Sequence, residues 1–473
     1  MKTLHPLLLI PFLLAACSSD VIDQSGAESS SAYKPGCKPL AGPSYALHGM
    51  ALLPTGPADS YVVVEGEKIV AVTPSASLVP SGTPIIETHG VIAPGLVDLH
   101  NHVAYDFVPF WNAGKRFQNR YQWARTSAYE TAVKTPYNAV KNAGHMCEAI
   151  KYGELRALVG GTTSIQGSED LICTRSWTRN VEYSNFCNDY VRENVLPVTA
   201  ITQTQADTLN AQFSTGATKA YLVHLAEGID DASRAEFDYL NQIGLVKPQL
   251  VAIHGTALTE TQLQKLGQAG AKLVWSPLSN LALYGQTTNI PAAKAAGITI
   301  SIAPDWSPSG SANVLGELKV ADRFNRERYA GLLSDKDLVD MVTINPARTI
   351  AWEDKVGSIA VGRYADLMVL RGAATTPYRA LIDAKPADVL LTTVGGQAFY
   401  GASEIVSAIG DNRTYETVDA CGEARSLAVQ ETTLPISSGS ETFADIIGAF
   451  TSSGVASTIP LFQCDAAPEF AFH

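Results

Sequence analysis

The sequence is short of positive charge. Its 473 residues hold 34 Lys and Arg against 46 Asp and Glu, a formal net charge of −12. No basic patch or stripe interrupts that balance, which argues against nucleic acid as a partner. No apolar run, the N-terminal one included, is long enough to span a bilayer. The seven Cys form no C-x-x-C pair, so a structural zinc cluster is not expected. Neither a G-x-G-x-x-G nor a Walker pattern follows Gly160-Gly161, which therefore reads as a turn and not a phosphate loop.

What is present begins with a leader. Lys2 precedes the apolar stretch Leu7 to Leu14, and Ala15-Ala16 supply small residues before Cys17. That order is the pattern of a secretory signal over residues 1–16. Leu14-Ala15-Ala16-Cys17 resembles a bacterial lipoprotein box, in which Cys17 becomes the lipidated first residue. Ser18 and Ser19 after it favour the outer membrane by the same resemblance. Contact with a membrane is expected through this anchor alone, with residues 17–36 as anchor and Ser-rich tether. Six further Cys in an exported chain suggest disulfides. Cys173 with Cys187 is the first expectation and Cys421 with Cys464 the second.

The rest is long enough for one large α/β domain and a smaller one. Residues 37–93 and 356–430 read as short strands separated by turns such as Glu65-Gly66-Glu67-Lys68. The economical arrangement is one small β-sandwich built from both flanks. Between them, residues 94–355 alternate apolar strands with amphipathic helices. Strands are expected at Leu96–Leu99, Gly161–Ile165, Leu196–Thr202, Ala220–His224, Gln249–His254, Lys272–Ser276 and Ile298–Ala303, with the third strand poorly marked. Thr259 with Gln262 is a capping-box signature, and Gly244, Gly270 and Gly297 read as helix stops. Repeated β-α units over roughly 250 residues indicate a (β/α)8 TIM barrel. Residues 431–473 form a Ser/Thr-rich tail with one helix near Thr442 to Phe450 and no assignable role.

The candidate chemistry sits at strand ends. Val91 to His102 reads V-I-A-P-G-L-V-D-L-H-N-H. Residues two apart on a strand point the same way, so His100 and His102 share a face. His224, His254 and Asp305 also lie at or just beyond the C-terminal ends of expected strands, where a barrel of this kind builds its active site. Four strand ends thus carry side chains of metal-ligand type.

These stretches resemble the amidohydrolase superfamily of metal-dependent hydrolases over roughly residues 45–400. The branch they are most similar to holds cytosine, guanine and S-adenosylhomocysteine deaminases and triazine chlorohydrolases. The motifs are P-G-L-V-D-L-H-N-H, H-L-A-E-G at His224–Gly228, I-H-G at Ile253–Gly255, S-P-L-S-N at Ser276–Asn280, A-P-D at Ala303–Asp305, T-I-N-P-A-R at Thr343–Arg348 and G-R-Y-A-D-L at Gly362–Leu367. The resemblance implies one divalent metal held by His100, His102, His224 and Asp305, zinc in preference to iron. It makes Glu227 a proton shuttle, lets Asp305 take a proton from the attacking water, and sets His254 against that water or the substrate. Some relatives bridge two metals with a carboxylated Lys on strand four; Leu196–Thr202 has no Lys. His145, Asn280 and Trp306 are candidates for substrate contact, and Asp98 reads as structural. The implied activity is hydrolysis of a C–N bond, other than a linear peptide, in a small and cyclic substrate, as by a deaminase or cyclic-amide hydrolase. A dipeptidase-like or imidazolone-type hydrolase is the alternative enzyme. A surface-anchored, non-catalytic binding protein is the alternative class. Homo-oligomerisation is left open.

Overall fold

The computed structural model describes residues 42–168, 177–182, 186, 191–195, 197–411, 413–430 and 441–464. The leader, Cys17 and the tether fall outside the described residues, as do Cys173 and Cys187.

The first four strands are β1 (Ser44–Leu53), β2 (Gly56–Glu65), β3 (Lys68–Thr73) and β4 (Ile85–Pro94). β1 and β2 are joined by a tight hairpin, and β1 then runs parallel to β4. Eight short strands follow: β5 (Leu96–Asp98), β6 (Thr162–Ile165), β7 (Arg179–Asn180), β8 (Val191–Asn194), β9 (Ala220–Leu225), β10 (Leu250–His254), β11 (Lys272–Trp275) and β12 (Thr299–Ile302). The chain then returns through β13 (Leu367–Leu370), β14 (Val389–Val394), β15 (Gln397–Gly401), β16 (Glu416–Ala420) and β17 (Glu423–Leu427).

Both flanks join in one continuous nine-stranded sheet, ordered β16-β17-β15-β14-β13-β4-β1-β2-β3. The join is the antiparallel pair β4–β13, with Pro94 opposite Leu367 and Val91 opposite Leu370. Alternating residues explain its two faces. Tyr45, Leu47, Ile92, Leu367 and Val369 pack in one apolar cluster, while Val91, Ala93, Met368 and Leu370 pack in the cluster that runs beneath the barrel helices.

The middle strands form the barrel, as a five-stranded parallel sheet β12-β11-β10-β9-β8 and a three-stranded parallel sheet β5-β6-β7. They are buried along their length, which explains their near-continuous apolar reading. The fourth strand differs from expectation. It is Val191–Asn194, upstream of Leu196–Thr202. Pro197 has no N–H for a ladder, residues 198–200 form a single 3-10 turn, and Thr202 is committed to a capping box with Gln205 of the next helix. The poorly marked third strand is two residues long. The Thr259–Gln262 capping box is present.

In the tail, Thr442 caps a helix over Phe443–Ser452. That helix packs on the barrel, with Phe450 stacked on Phe107 at 4.7 Å. Cys421 and Cys464 are joined, the second expected pair, and Cys147 is disulfide-bonded too. No helix of the described residues is long and apolar enough to cross a membrane.

Candidate metal centre

The end of β5 is locked by its own sequence. The Asp98 carboxylate accepts the His100 N–H at 3.0 Å and the Asn101 amide at 2.9 Å. The next strand end closes against it: a Cβ on Gly167, at φ +85°, would meet the Asn101 carbonyl oxygen at 1.8 Å, so only glycine fits. Asn101 in turn bridges to Asp305, whose N–H donates to the His100 carbonyl at 3.1 Å and whose carbonyl accepts from His102 at 2.9 Å. This contact closes the barrel between β12 and β5. It delivers His100, His102 and Asp305 to one place.

The other site residues are delivered by sharp turns. Ala226, His254 and Asp305 have φ values of 53°, 66° and 73°. Side-chain-bearing residues rarely adopt that left-handed backbone, and each costs on the order of 1 kcal/mol or more. At Ala226 the turn swings Glu227 back over the strand end that carries His224. The Ala226 N–H is held by the Glu236 carboxylate at 2.8 Å.

The resulting ring is tight. Ligand atoms of His100, His102 and His224 lie within 4.8 Å of one another, as do those of His100, His254 and Asp305 and those of His224, Glu227 and His254. Asp305 Oδ1 is 3.0 Å from His100 Nε2 and 3.5 Å from His102 Nε2. All are buried except His102, whose side chain is 28% exposed and marks the open side.

A divalent metal fits this donor set. Nδ1 of His100, Nδ1 of His224 and Nε2 of His254 are buried and have no hydrogen-bond partner, and His100 Nε2 meets only Asp305. Buried polar atoms are seldom left so. Burial pushes the His224 imidazole well below its usual pKa and lowers that of His254, which keeps lone pairs free. Burial also pushes Asp305 upward, but His100, His254 and His102 outweigh it and hold its carboxyl below the usual range. The set combines imidazole nitrogens with one carboxylate, a zinc-type combination.

A second layer stands behind the ring, and sequence reasoning missed most of it. The helix Pro277–Tyr284 is buried at every residue and presents three side chains to three ring members. Ser279 donates to Asp305 Oδ2 at 2.6 Å. Asn280 Oδ1 lies 2.9 Å from His254 Nδ1, so the structure sets this expected substrate contact against a site histidine. Tyr284 donates to Glu227 Oε1 at 2.6 Å and accepts from the Trp123 indole at 2.8 Å. Arg120 Nη1 is 3.8 Å from Glu227 Oε2. Burial raises the Glu227 carboxyl, opposed by His254 and Arg120.

Trp306 packs edge-on against His102 at 5.4 Å and against Tyr105 and Trp123, an aromatic wall on the open side. His145 is set apart from the ring. It precedes the helix Met146–Leu158, with Nδ1 at 3.5 Å from Glu148. Arg120 and Trp123 lie in an insertion with no motif. Tyr284 had a faint signal: it follows Asn280 by one helical turn and so shares its face.

Residues 198–399 match the model of the Amidohydrolase family. The chain is 29% identical over 168 residues to an S-triazine hydrolase of Gordonia rubripertincta, covering 34% of this chain and 35% of that protein. It is 27% identical over 202 residues to a 5-methylthioadenosine/S-adenosylhomocysteine deaminase of Pyrococcus abyssi, covering 39% and 47%. These matches thus span between a third and a half of the relatives' length. An adenosine deaminase structure from Xanthomonas campestris with bound zinc superposes with a TM-score of 0.58 at 17% identity, over 76% of this chain and 93% of that one. That likeness is one of fold: a TIM barrel with an extra sheet domain. Together the matches support the amidohydrolase superfamily.

Proposed function

We propose that the chain is a metal-dependent hydrolase acting on a C–N bond, other than a linear peptide, in a small and cyclic substrate, as a deaminase or a cyclic-amide hydrolase. The observation that carries this is the convergence of His100, His102, His224 and Asp305, with buried imidazole nitrogens that lack partners, beside the buried carboxyl of Glu227. Those four residues would hold one zinc ion. Bound zinc would supply Lewis acidity, lowering the pKa of a water from about 16 to about 7.

The chain's own residues handle the protons. Asp305, held anionic, accepts a proton at the carboxylate oxygen that faces His100. Glu227, raised by burial, can take a proton and release it to a leaving nitrogen at ordinary pH. His254 is held by Asn280 at Nδ1, so in its neutral form that nitrogen carries the hydrogen and Nε2 accepts. It would donate to a developing oxyanion only as the imidazolium; as the neutral ring its Nε2 faces Glu227 Oε2 at 3.7 Å. The aromatic wall of Trp306, Tyr105 and Trp123 stands on the open side of the ring.

A metal-replete screen of purines, pyrimidines, triazines, hydantoins and dipeptides tests this reading. Turnover in a ring class and none of dipeptides is expected; dipeptide cleavage alone would move the chain to the alternative enzyme. In Glu227→Gln, kcat on the active compound should drop about 100-fold with zinc content unchanged. Loss of zinc in that variant would make Glu227 a ligand.

A further inference from the structure

Glu227 is held by a one-way chain of hydrogen bonds. The Trp123 indole N–H can only donate, and it points at the Tyr284 hydroxyl oxygen, 2.8 Å away. With that oxygen accepting, the Tyr284 hydrogen is left for Glu227 Oε1 at 2.6 Å. Burial and the Glu227 carboxylate push the Tyr284 hydroxyl well above its usual pKa, so the donor stays protonated. Oε1 is thereby an acceptor in every state of the cycle. The other oxygen, Oε2, lies 3.7 Å from His254 Nε2 and 3.8 Å from Arg120 Nη1.

The two ends of this chain come from different parts of the barrel. Trp123 belongs to the insertion after β5, and Tyr284 ends the helix after β11. The insertion is clamped beside Glu227. Asn119 bridges to Gly228, and Ile229 N–H donates to Gln118 at 2.7 Å. A Cβ on Gly228 would meet the Gln118 carbonyl at 2.5 Å, so the approach depends on glycine. The insertion is thus part of the support for Glu227.

We propose that Tyr284, directed by Trp123, is the positioning residue for Glu227, fixing Oε1 as an acceptor so that Oε2 alone carries the transferred proton. The step balances: Asp305 takes one proton as the attacking water ionises, Oε2 gives one to the leaving nitrogen, and the proton held by Asp305 then restores Oε2. The proposal rests on the reading of Glu227 as the proton carrier.

The test uses the full-length, zinc-loaded protein in four forms: wild type, Tyr284→Phe, Glu227→Gln and the double variant. Crystal structures read position without needing a substrate. Tyr284→Phe should keep its zinc and fold but let the Glu227 carboxylate turn, so that Oε2 leaves its 3.7 Å spacing to His254 Nε2. An unmoved carboxylate overturns the proposal. Kinetics on whichever screen compound is turned over give the second reading. Tyr284→Phe should lower kcat about tenfold or more at nearly constant KM, the size expected for a hydrogen bond to a charged group. Adding it to Glu227→Gln should cost nothing further, because residues acting as one unit are not additive. A full additional loss in the double variant would mean Tyr284 acts elsewhere and would overturn the proposal. Wild-type turnover by Glu227→Gln instead would sink the underlying reading, a distinct result. Trp123→Phe should reproduce the Tyr284→Phe defect in weaker form, about threefold.

Discussion

The barrel has two seams, and they handle buried charge in opposite ways. Between β12 and β5 the seam is stitched by Asn101 and Asp305, and one carboxylate stands among imidazoles. Between β7 and β8 no ladder links the described residues, and two carboxyls meet there, Glu182 buried and Glu193 exposed. Glu182 and Glu193 both contact Gln166 Nε2, at 2.5 and 3.3 Å. Surrounded by imidazoles, Asp305 is held low and stays anionic. Burial, with Glu193 as neighbour, pushes Glu182 up to about 8. The same residue type is thus prepared for a cation at one seam and for a proton at the other.

The largest effect should come from breaking the first seam's ring. His100→Ala removes a buried ring member whose nitrogens have no partner outside the ring, and elemental analysis should find near-zero zinc against about one equivalent in the wild type. Two equivalents in the wild type would refute the single-metal reading. A smaller effect is expected from Ser279→Ala, which deletes the hydroxyl on Asp305 Oδ2 but no ligand. Zinc should remain, and kcat should fall about three- to tenfold. Zinc loss there would make Ser279 essential to the ring itself.

The smallest effect belongs to the second seam. Folded Glu182 keeps its proton to higher pH than an unfolded glutamate, whose pKa is about 4.3. Between that value and about 8 the folded state therefore binds more protons, and stability falls as pH rises. Glu182→Gln cannot ionise, so thermal unfolding from pH 5 to 8 should show a shallower decline in Tm, with zinc content unchanged. An unaltered slope would show that Glu182 does not set it.

These seams also mark where the sequence was readable. The first was legible because its residues fall at strand ends two apart or one β-α unit apart, a spacing tied to backbone geometry. Glu227 was reached only by resemblance, since its place depends on the left-handed turn at Ala226. Arg120, Trp123 and Tyr284 contact Glu227 or its partner across long sequence separations, where periodicity carries no information. The fourth strand was misplaced because the apolar run Leu196–Ile201 looks like a strand, whereas Val191–Asn194 reads V-R-E-N, one apolar residue followed by three polar ones. The second seam was invisible, as the buried Glu182 reads in the sequence like a surface residue.

One feature of the fold governs how the protein can assemble. The chain enters the barrel at β4 and leaves at β13, which are adjacent strands, and Gly95 N–H donates to Asp366 at 2.8 Å across that doorway. Roughly 270 residues lie between two partners in one ladder. Contacts of that sequence separation carry a large loop-closure entropy and form late. The nine-stranded sheet is therefore a latch: β1 to β4 emerge first from synthesis yet gain their central neighbour only once the barrel has brought the chain back, so completion of the sheet reports that the barrel has closed.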